Sequence, residues 1–340
     1  MIVFRRQRVF FFHILKKYSI ILLGDLMKKK VVVLGGGTGL STLLRGLKQF
    51  PIDITAVVSV SDDGRSTGRL REEFKTPAVG DIRQVLVALS ETEPLVEKLL
   101  NYRFETTSDL NGHAVGNLLL TAMDNITGNM SDGIEALGKI LNLKGRILPL
   151  TEDNVTLMAE MKDGSIIEGE HHITDSLKGI KRIFYKEEPK VCPEVLDSIE
   201  EADLIVFSMG SLYTSILPNL ISDEMVDSIK KSKARILYAC NVMTQPGETD
   251  NFTVGDHIKV LNSYLKKRKV DIVIMNNGTI DAKLIQKYAS LEQKDPVKID
   301  PSELKKLGVQ VIEDDLVSVE TGTIRHNTMK LAFHIFSSIV

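Results

Sequence analysis

The stretch Lys30-Val31-Val32-Val33-Leu34-Gly35-Gly36-Gly37-Thr38-Gly39-Leu40 decides the fold class. The unbroken apolar run 31–34 reads as a short strand buried on both faces, as parallel sheets require. It stops in glycines and restarts as a helix over 40–49. Such a turn brings free backbone N–H groups and the positive end of a helix to one point, and glycine lets a phosphate approach the backbone. Gly35, Gly36, Gly37, Thr38 and Gly39 are therefore read as a phosphate-holding turn. The match to G-x-G-x-x-G is incomplete, because counted from Gly35 the third glycine position holds Leu40. No Gly-Lys-Ser/Thr follows, so this is not a Walker loop.

Outward from this turn the pattern repeats. Strands are predicted at 54–59, 146–148, 204–207, 236–239, 272–275 and 309–312. Helical stretches lie between them, the longest over 82–141 with breaks near Pro94, at 106–112 and near Gly128. The alternation predicts an α/β protein, a Rossmann-like three-layer α/β/α fold with a mostly parallel sheet. Ligands of such folds sit at the carboxyl ends of the strands. Residues 155–161, the turn Lys162-Asp163-Gly164 and residues 166–173 alternate as a small antiparallel hairpin, an insertion at about 155–173. One domain is expected over 27–340.

Residues 1–26 differ from the rest. They carry Arg5, Arg6, Arg8, Lys16 and Lys17 against Asp25, and Lys16-Lys17 splits two short apolar runs. Neither run approaches the ~20 residues a membrane span needs. The segment is read as an extension outside the fold; a membrane-surface segment and a cleaved signal stay open as alternatives. The net charge of −2 points away from nucleic acid as a partner. Two cysteines, Cys192 and Cys240, make a disulfide framework improbable and fit a cytoplasmic location.

The loop after the second strand, Ser59-Val60-Ser61-Asp62-Asp63-Gly64-Arg65-Ser66-Thr67-Gly68-Arg69-Leu70-Arg71, concentrates charge. Asp62 and Asp63 could hold Mg²⁺, Asp62 could instead accept from ribose hydroxyls, and Arg65 and Arg69 could grip phosphate, with Ser66 beside them. Asp81 is expected as a helix N-cap. Asn117, in Gly112-His113-Ala114-Val115-Gly116-Asn117, could donate to a ligand, while His113 reads equally as a packed histidine. The hydroxyl-rich loop Gly210-Ser211-Leu212-Tyr213-Thr214 and the amide-rich loop from Asn241 to Asp250 follow later strands. Tyr288 offers a ring for stacking. Arg325 is expected in a loop before a C-terminal helix beginning near Thr328.

Together the motifs GGGTG (35–39), SDDGRSTGRLR (61–71), GDIR (80–83), GHAVGN (112–117), GSLYTSILPNL (210–220), NVMTQPGETD (241–250) and Arg325-His326-Asn327-Thr328 resemble the bacterial gluconeogenesis factor family. That family belongs to the superfamily of 2-phospho-L-lactate transferase, an enzyme of deazaflavin coenzyme synthesis. The resemblance covers 29–340. It implies a nucleotide site between the glycine turn and the later strand-end loops. It also implies uridine-diphosphate-sugar binding, and a role in cell shape, wall synthesis and growth on gluconeogenic carbon sources. Tyr213, Thr214, Ser211, Gly210 and Asn241 carry over as ligand contacts. Three departures stand out: Ser208-Met209 in place of Gly-Pro, Asn251-Phe252 in place of Gly-Tyr, and Asn327 in place of aspartate.

The expectation is a binding regulator. A Mg²⁺-dependent transferase using a nucleotide donor is the alternative, disfavoured by the lack of Trp and only 6% aromatic residues. An NAD(P)-dependent oxidoreductase is the third reading, disfavoured by the missing glycine. A kinase acting at Thr328 would place an anion beside Arg325. Homo-oligomerisation stays open.

Overall fold

The computed structural model describes residues 28–91, 94–320 and 322–340; the side chain of Glu320 and the expectation for residues 1–26 lie outside what it describes. In chain order, β1 (Lys30–Gly35), α1 (Gly37–Leu47), β2 (Asp53–Val58), α2 (Arg65–Phe74) and α3 (Val79–Leu89) form the first half. α4 (Pro94–Asn101), α5 (Val115–Thr127) and α6 (Met130–Ile140) lead to β3 (Arg146–Pro149). Next come β4 (Leu157–Met161), β5 (Ile166–Glu168), α7 (Glu170–Asp175), β6 (Ile180–Tyr185) and α8 (Pro193–Glu200). β7 (Leu204–Phe207), α9 (Asp223–Lys231), β8 (Arg235–Ala239), α10 (Val254–Leu265), β9 (Ile272–Asn276), α11 (Ala282–Glu292) and α12 (Pro301–Leu307) follow. The chain closes with β10 (Gln310–Asp314), β11 (Val317–Glu320), β12 (Thr323–His326) and α13 (Thr328–Ser337).

Seven strands form one sheet in the order β10-β9-β8-β7-β1-β2-β3. Its pairings are parallel, for example Leu34 with Phe207 and Val57 with Leu148. This is the α/β architecture expected, and every predicted strand of the main sheet is present. The apolar runs explain it: all four residues of β7 are buried, as are the last five of β1. From β1 the chain runs to β2 and β3 on one side, and β7 to β10 fill the other. The strand order therefore reverses between β1 and β7, which is where open sheets of this kind form their ligand crevice.

Two antiparallel pieces decorate the sheet. The insertion is three-stranded, order β5-β4-β6, rather than a hairpin. The expected second strand ends at Glu168, Gly169 takes a left-handed turn (φ 92°), and residues 170–175 are helical. Strand β6 escaped prediction because its burial does not alternate, and a bulge at Glu160/Met161 breaks its register with β4. The β11–β12 hairpin also escaped. Arg325 thus stands on a strand, paired with Ser318, not in a loop. α13 starts at Thr328 as expected, capped by the Asn327 side chain, which accepts from Lys330 N at 3.2 Å. Asn and Asp serve equally well at this position, so the departure at Asn327 leaves the cap intact.

Candidate functional site

At the crevice, α1 begins at Gly37 and has the extended Gly36 as its cap residue. Gly39 packs so tightly on the next strand's loop that a Cβ there would lie 1.7 Å from the Met209 carbonyl oxygen. Here glycine is required by contact between the first turn of α1 and the loop after β7. Above this turn opens a cleft of about 840 Å³. Its wall contains Gly36, Gly37, Thr38 and Gly39 from the glycine turn, Gly210 and Ser211 after β7, and Asn241 after β8. Tyr288 of α11 and Arg325 of β12 complete it. Residues far apart in sequence are thereby brought to one place.

The later residues are held there by a small second core. Val242, Tyr288 and Ile324 are buried against one another, and the Ile324 N–H donates to the Tyr288 hydroxyl at 2.9 Å. His326 is tied through Nε2 to the Cys240 carbonyl at 3.1 Å, which pins β12 over the end of β8. The neighbouring guanidinium of Arg325 is exposed. Asn241 acts as a bracket: its Oδ1 accepts from Gly210 N at 2.9 Å and its Nδ2 donates back to the Gly210 carbonyl.

Other predicted residues lie elsewhere. Asn117 and Ser66 are buried and are not in the cleft wall. Asn117 Nδ2 donates to Ser66 Oγ at 3.2 Å, and Asn117 Oδ1 accepts from Arg83 at 3.0 Å. His113 joins the same network through Nδ1 to Ser66 at 3.0 Å, and burial lowers its pKa. It is a packed histidine. Arg69 donates to the carbonyls of Asp109 and Asn111, so it holds a loop. Arg65 is exposed at the start of α2 and is not in the cleft wall. Gly35, Tyr213 and Thr214 are also absent from the wall.

The acidic pair was expected to hold Mg²⁺. Asp62 Oδ1 accepts from Gly64 N at 3.0 Å, whereas Asp63 Oδ1 accepts from His171 N at 2.9 Å. The two carboxylates are turned to different backbone amides. Among the described residues no three His, Cys, Asp or Glu side chains are grouped to hold a metal ion.

Residues 31–317 match the family described as 2-phospho-L-lactate transferase CofD. The chain belongs to the CofD family. It is 48% identical over 306 residues to the gluconeogenesis factor of Bacillus subtilis, covering 90% of this chain and 96% of that one. The gluconeogenesis factor of Listeria innocua is 44% identical over 306 residues, covering 90% and 94%. A crystal structure of a Bacillus halodurans protein superposes with a TM-score of 0.88 at 47% identity, covering 91% of this chain and 99% of that chain.

In this CofD-family chain three carboxyls near the crevice were missed as site residues. Glu248 is buried and accepts from Ser211 Oγ, from Tyr213 N at 3.1 Å and from Gln245 Nε2 at 2.7 Å. It locks the loop after β7 to the loop after β8, and it occupies the hydroxyl proton of Ser211. Asp81 does not cap its own helix: α3 starts at Val79 with Ala78 as the cap residue. Its carboxylate lies instead against the glycine turn, where a Cβ on Gly36 would be 2.6 Å from Asp81 Oδ2, and burial, then Asp62, push its pKa up to about 7. Glu170, on α7, is pushed up to about 8, first by burial and then by Asp62 and Asp81. Each follows a single glycine, Gly247, Gly80 or Gly169, and leaves no periodic pattern, so only the fold reveals these three.

Proposed function

We propose that this protein is a nucleotide-sugar-binding factor, holding a uridine-diphosphate sugar in the cleft and acting through its ligated state rather than by turnover. The observation that carries this reading is the convergence of the glycine turn, Gly210, Ser211, Asn241, Tyr288 and Arg325 on one cleft of about 840 Å³. That size suits a small-molecule site. Backbone donors, hydroxyls, one ring and an exposed guanidinium suit an anionic, hydroxyl-rich ligand with a flat base. The relatives' name supports a role in growth on gluconeogenic carbon sources, and with the motif resemblance a role in cell shape and wall synthesis. Phosphorylation of Thr328 by a kinase would set an anion near Arg325 and oppose binding.

Turnover of the transferase type is the second reading, carried by the family itself. It needs a slot for a large planar acceptor, and among the described residues Tyr288 is the one Phe, Tyr or Trp ring in the cleft wall. Both cysteines are buried, with thiol pKa values pushed up to about 12 chiefly by burial, so neither is poised as a nucleophile.

The test is a thermal-shift and calorimetric screen of UDP-glucose, UDP-N-acetylglucosamine, UDP, NAD and NADP, each with Mg²⁺ and with EDTA. A UDP-sugar at a hundredfold excess over Kd should add ~2.7 kcal/mol of stability, with NAD and NADP inert. Silence from every UDP compound would sink the proposal, and release of a product from the nucleotide donor would replace it by the transferase reading.

A further inference from the structure

We propose that the edge of the main sheet where β8, β9 and β10 begin is a docking surface for a bilayer rich in anionic phospholipid. It lies at the opposite end of the strands from the cleft, so the inference stands apart from any reading of the cleft's ligand.

In a parallel sheet every strand starts at the same edge, and β8, β9 and β10 are parallel neighbours. The three segments that lead into them, residues 230–235, 266–271 and 305–310, hold ten lysines and arginines and one carboxylate, Asp271. The chain as a whole carries a net charge of −2, so positive charge is segregated here. Strands lie ~5 Å apart, inside the screening length of ~8 Å at physiological salt, so the three segments act as one field. Asp271 is committed within the fold, accepting from Ile236 N at 2.8 Å and facing Arg268 at 3.6 Å.

Helix dipoles explain part of this. Cations in the last turns of α9 and α12, Lys230, Lys231, Lys305 and Lys306, answer the partial negative charge of a helix end. That effect fades within the turn, yet Lys233 lies beyond the end of α9 at Lys231, and Lys267 and Lys269 lie beyond the end of α10 at Leu265. All three are exposed, and among the described residues no ion pair or hydrogen bond engages their ammonium groups. Neighbouring lysines do have partners: Lys231 lies 3.2 Å from Glu200, and Lys306 lies 3.2 Å from Glu303. The arginines are used internally. Arg268 donates to the Ser232 and Ala234 carbonyls, each at 2.7 Å, and Arg235 donates to Gln310 at 2.5 Å, which ties the three segments into one platform.

What remains for a partner is lysine, a hydrated point charge without the planar fork that reads phosphate geometry. No Phe, Tyr or Trp stands in these segments for a base to stack on. Unpaired point charges without a ring suit the spread negative potential of a lipid surface. Residues 1–26, with Arg5, Arg6, Arg8, Lys16, Lys17 and two short apolar runs, join the fold at this same edge through β1, which starts at Lys30. Basic residues among apolar ones suit the same surface, and stable attachment takes two such signals.

The test is co-sedimentation of the full chain with vesicles of phosphatidylglycerol and phosphatidylcholine in about equal parts, and with phosphatidylcholine alone. The wild type should bind the mixed vesicles at least tenfold more tightly than the neutral ones, and ~0.5 M salt should remove the difference. Lys233→Glu, Lys267→Glu and Lys269→Glu combined should weaken binding to the mixed vesicles at least tenfold, with an unchanged melting temperature. Lys162→Glu, on the turn of the insertion that follows β3, should leave binding within about twofold of wild type. A triple variant that binds as the wild type does would leave attachment to residues 1–26 and overturn the docking surface. An equal loss in Lys162→Glu would reduce the effect to net charge and overturn it too. A wild type that ignores anionic vesicles but binds duplex DNA, with that binding lost in the triple variant, would assign the edge to nucleic acid instead.

Discussion

Arg325 is exposed on a two-stranded hairpin, backed by Ile324 in a small apolar cluster. Removing its side chain takes away charge without opening a cavity. We expect Arg325→Ala to weaken UDP-sugar binding at least tenfold, about 1.4 kcal/mol, with an unchanged melting temperature; equal affinity in calorimetry would remove the residue from the site. Asp81 and Glu170 carry a second prediction. Their folded pKa values, about 7 and about 8, lie above the ordinary carboxylate range. The folded chain thus keeps protons that the unfolded chain has lost, and the stability they contribute at acid pH is lost as pH rises through about 8. Buried His257 and His326, whose pKa values are lowered chiefly by burial, act in the opposite direction but only at lower pH. Between pH 6.5 and 8.5 the urea midpoint should fall, and Glu170→Gln should flatten that slope. Parallel slopes for variant and wild type would show that the carboxyl is not the source. The motif residues that line the cleft were legible because glycine, amide and hydroxyl side chains cluster at strand ends. Asp81 was misread as a cap because a sequence shows a carboxylate's helix but not the loop it faces.

The element that most clearly departs from expectation is the insertion. Its helix α7 lies against the cleft, with Thr174 of the helix and Leu177 just after it in the wall. Asp63 holds the α7 backbone at His171, and Gly169 packs so closely that a Cβ would lie 2.4 Å from Asp63 Oδ2. Local opening costs less free energy where few contacts hold an element. Asp63→Ala should therefore speed amide exchange over 170–177 at least tenfold while β1 and β7 exchange as before. Exchange accelerated equally in the core would mean that Asp63 supports the whole fold. The hairpin signal of Asp163-Gly164 was legible, since a turn dipeptide between alternating runs is local. The third strand was not, because its pairing with β4 is set by contact and interrupted by a bulge.

At the scale of the molecule, the matches to the relatives leave about a tenth of the chain uncovered, 90% being matched in the Bacillus subtilis case. Residues 1–26 also carry no pattern that would cover an α/β core. A chain starting at Met27 should melt within about 3 °C of the full chain and bind UDP-glucose equally, where a shift of ~4 °C or more would signal a contribution of about 1 kcal/mol. Among the described residues no helix is long and apolar enough to cross a membrane. The sequence by itself determined the class and the central strands, because all-apolar runs between helical stretches leave a parallel, doubly covered sheet as the way to bury them. It also marked the strand-end loops that meet at the crevice. Only the tertiary structure decided which of those side chains line the cleft. Strand order places β7 beside β1, the β11–β12 hairpin brings Arg325 back over β8, and the packing of α3 on α1 sets Asp81 against Gly36 of the glycine turn. These are contacts between segments distant in the chain, and local propensity carries no record of them.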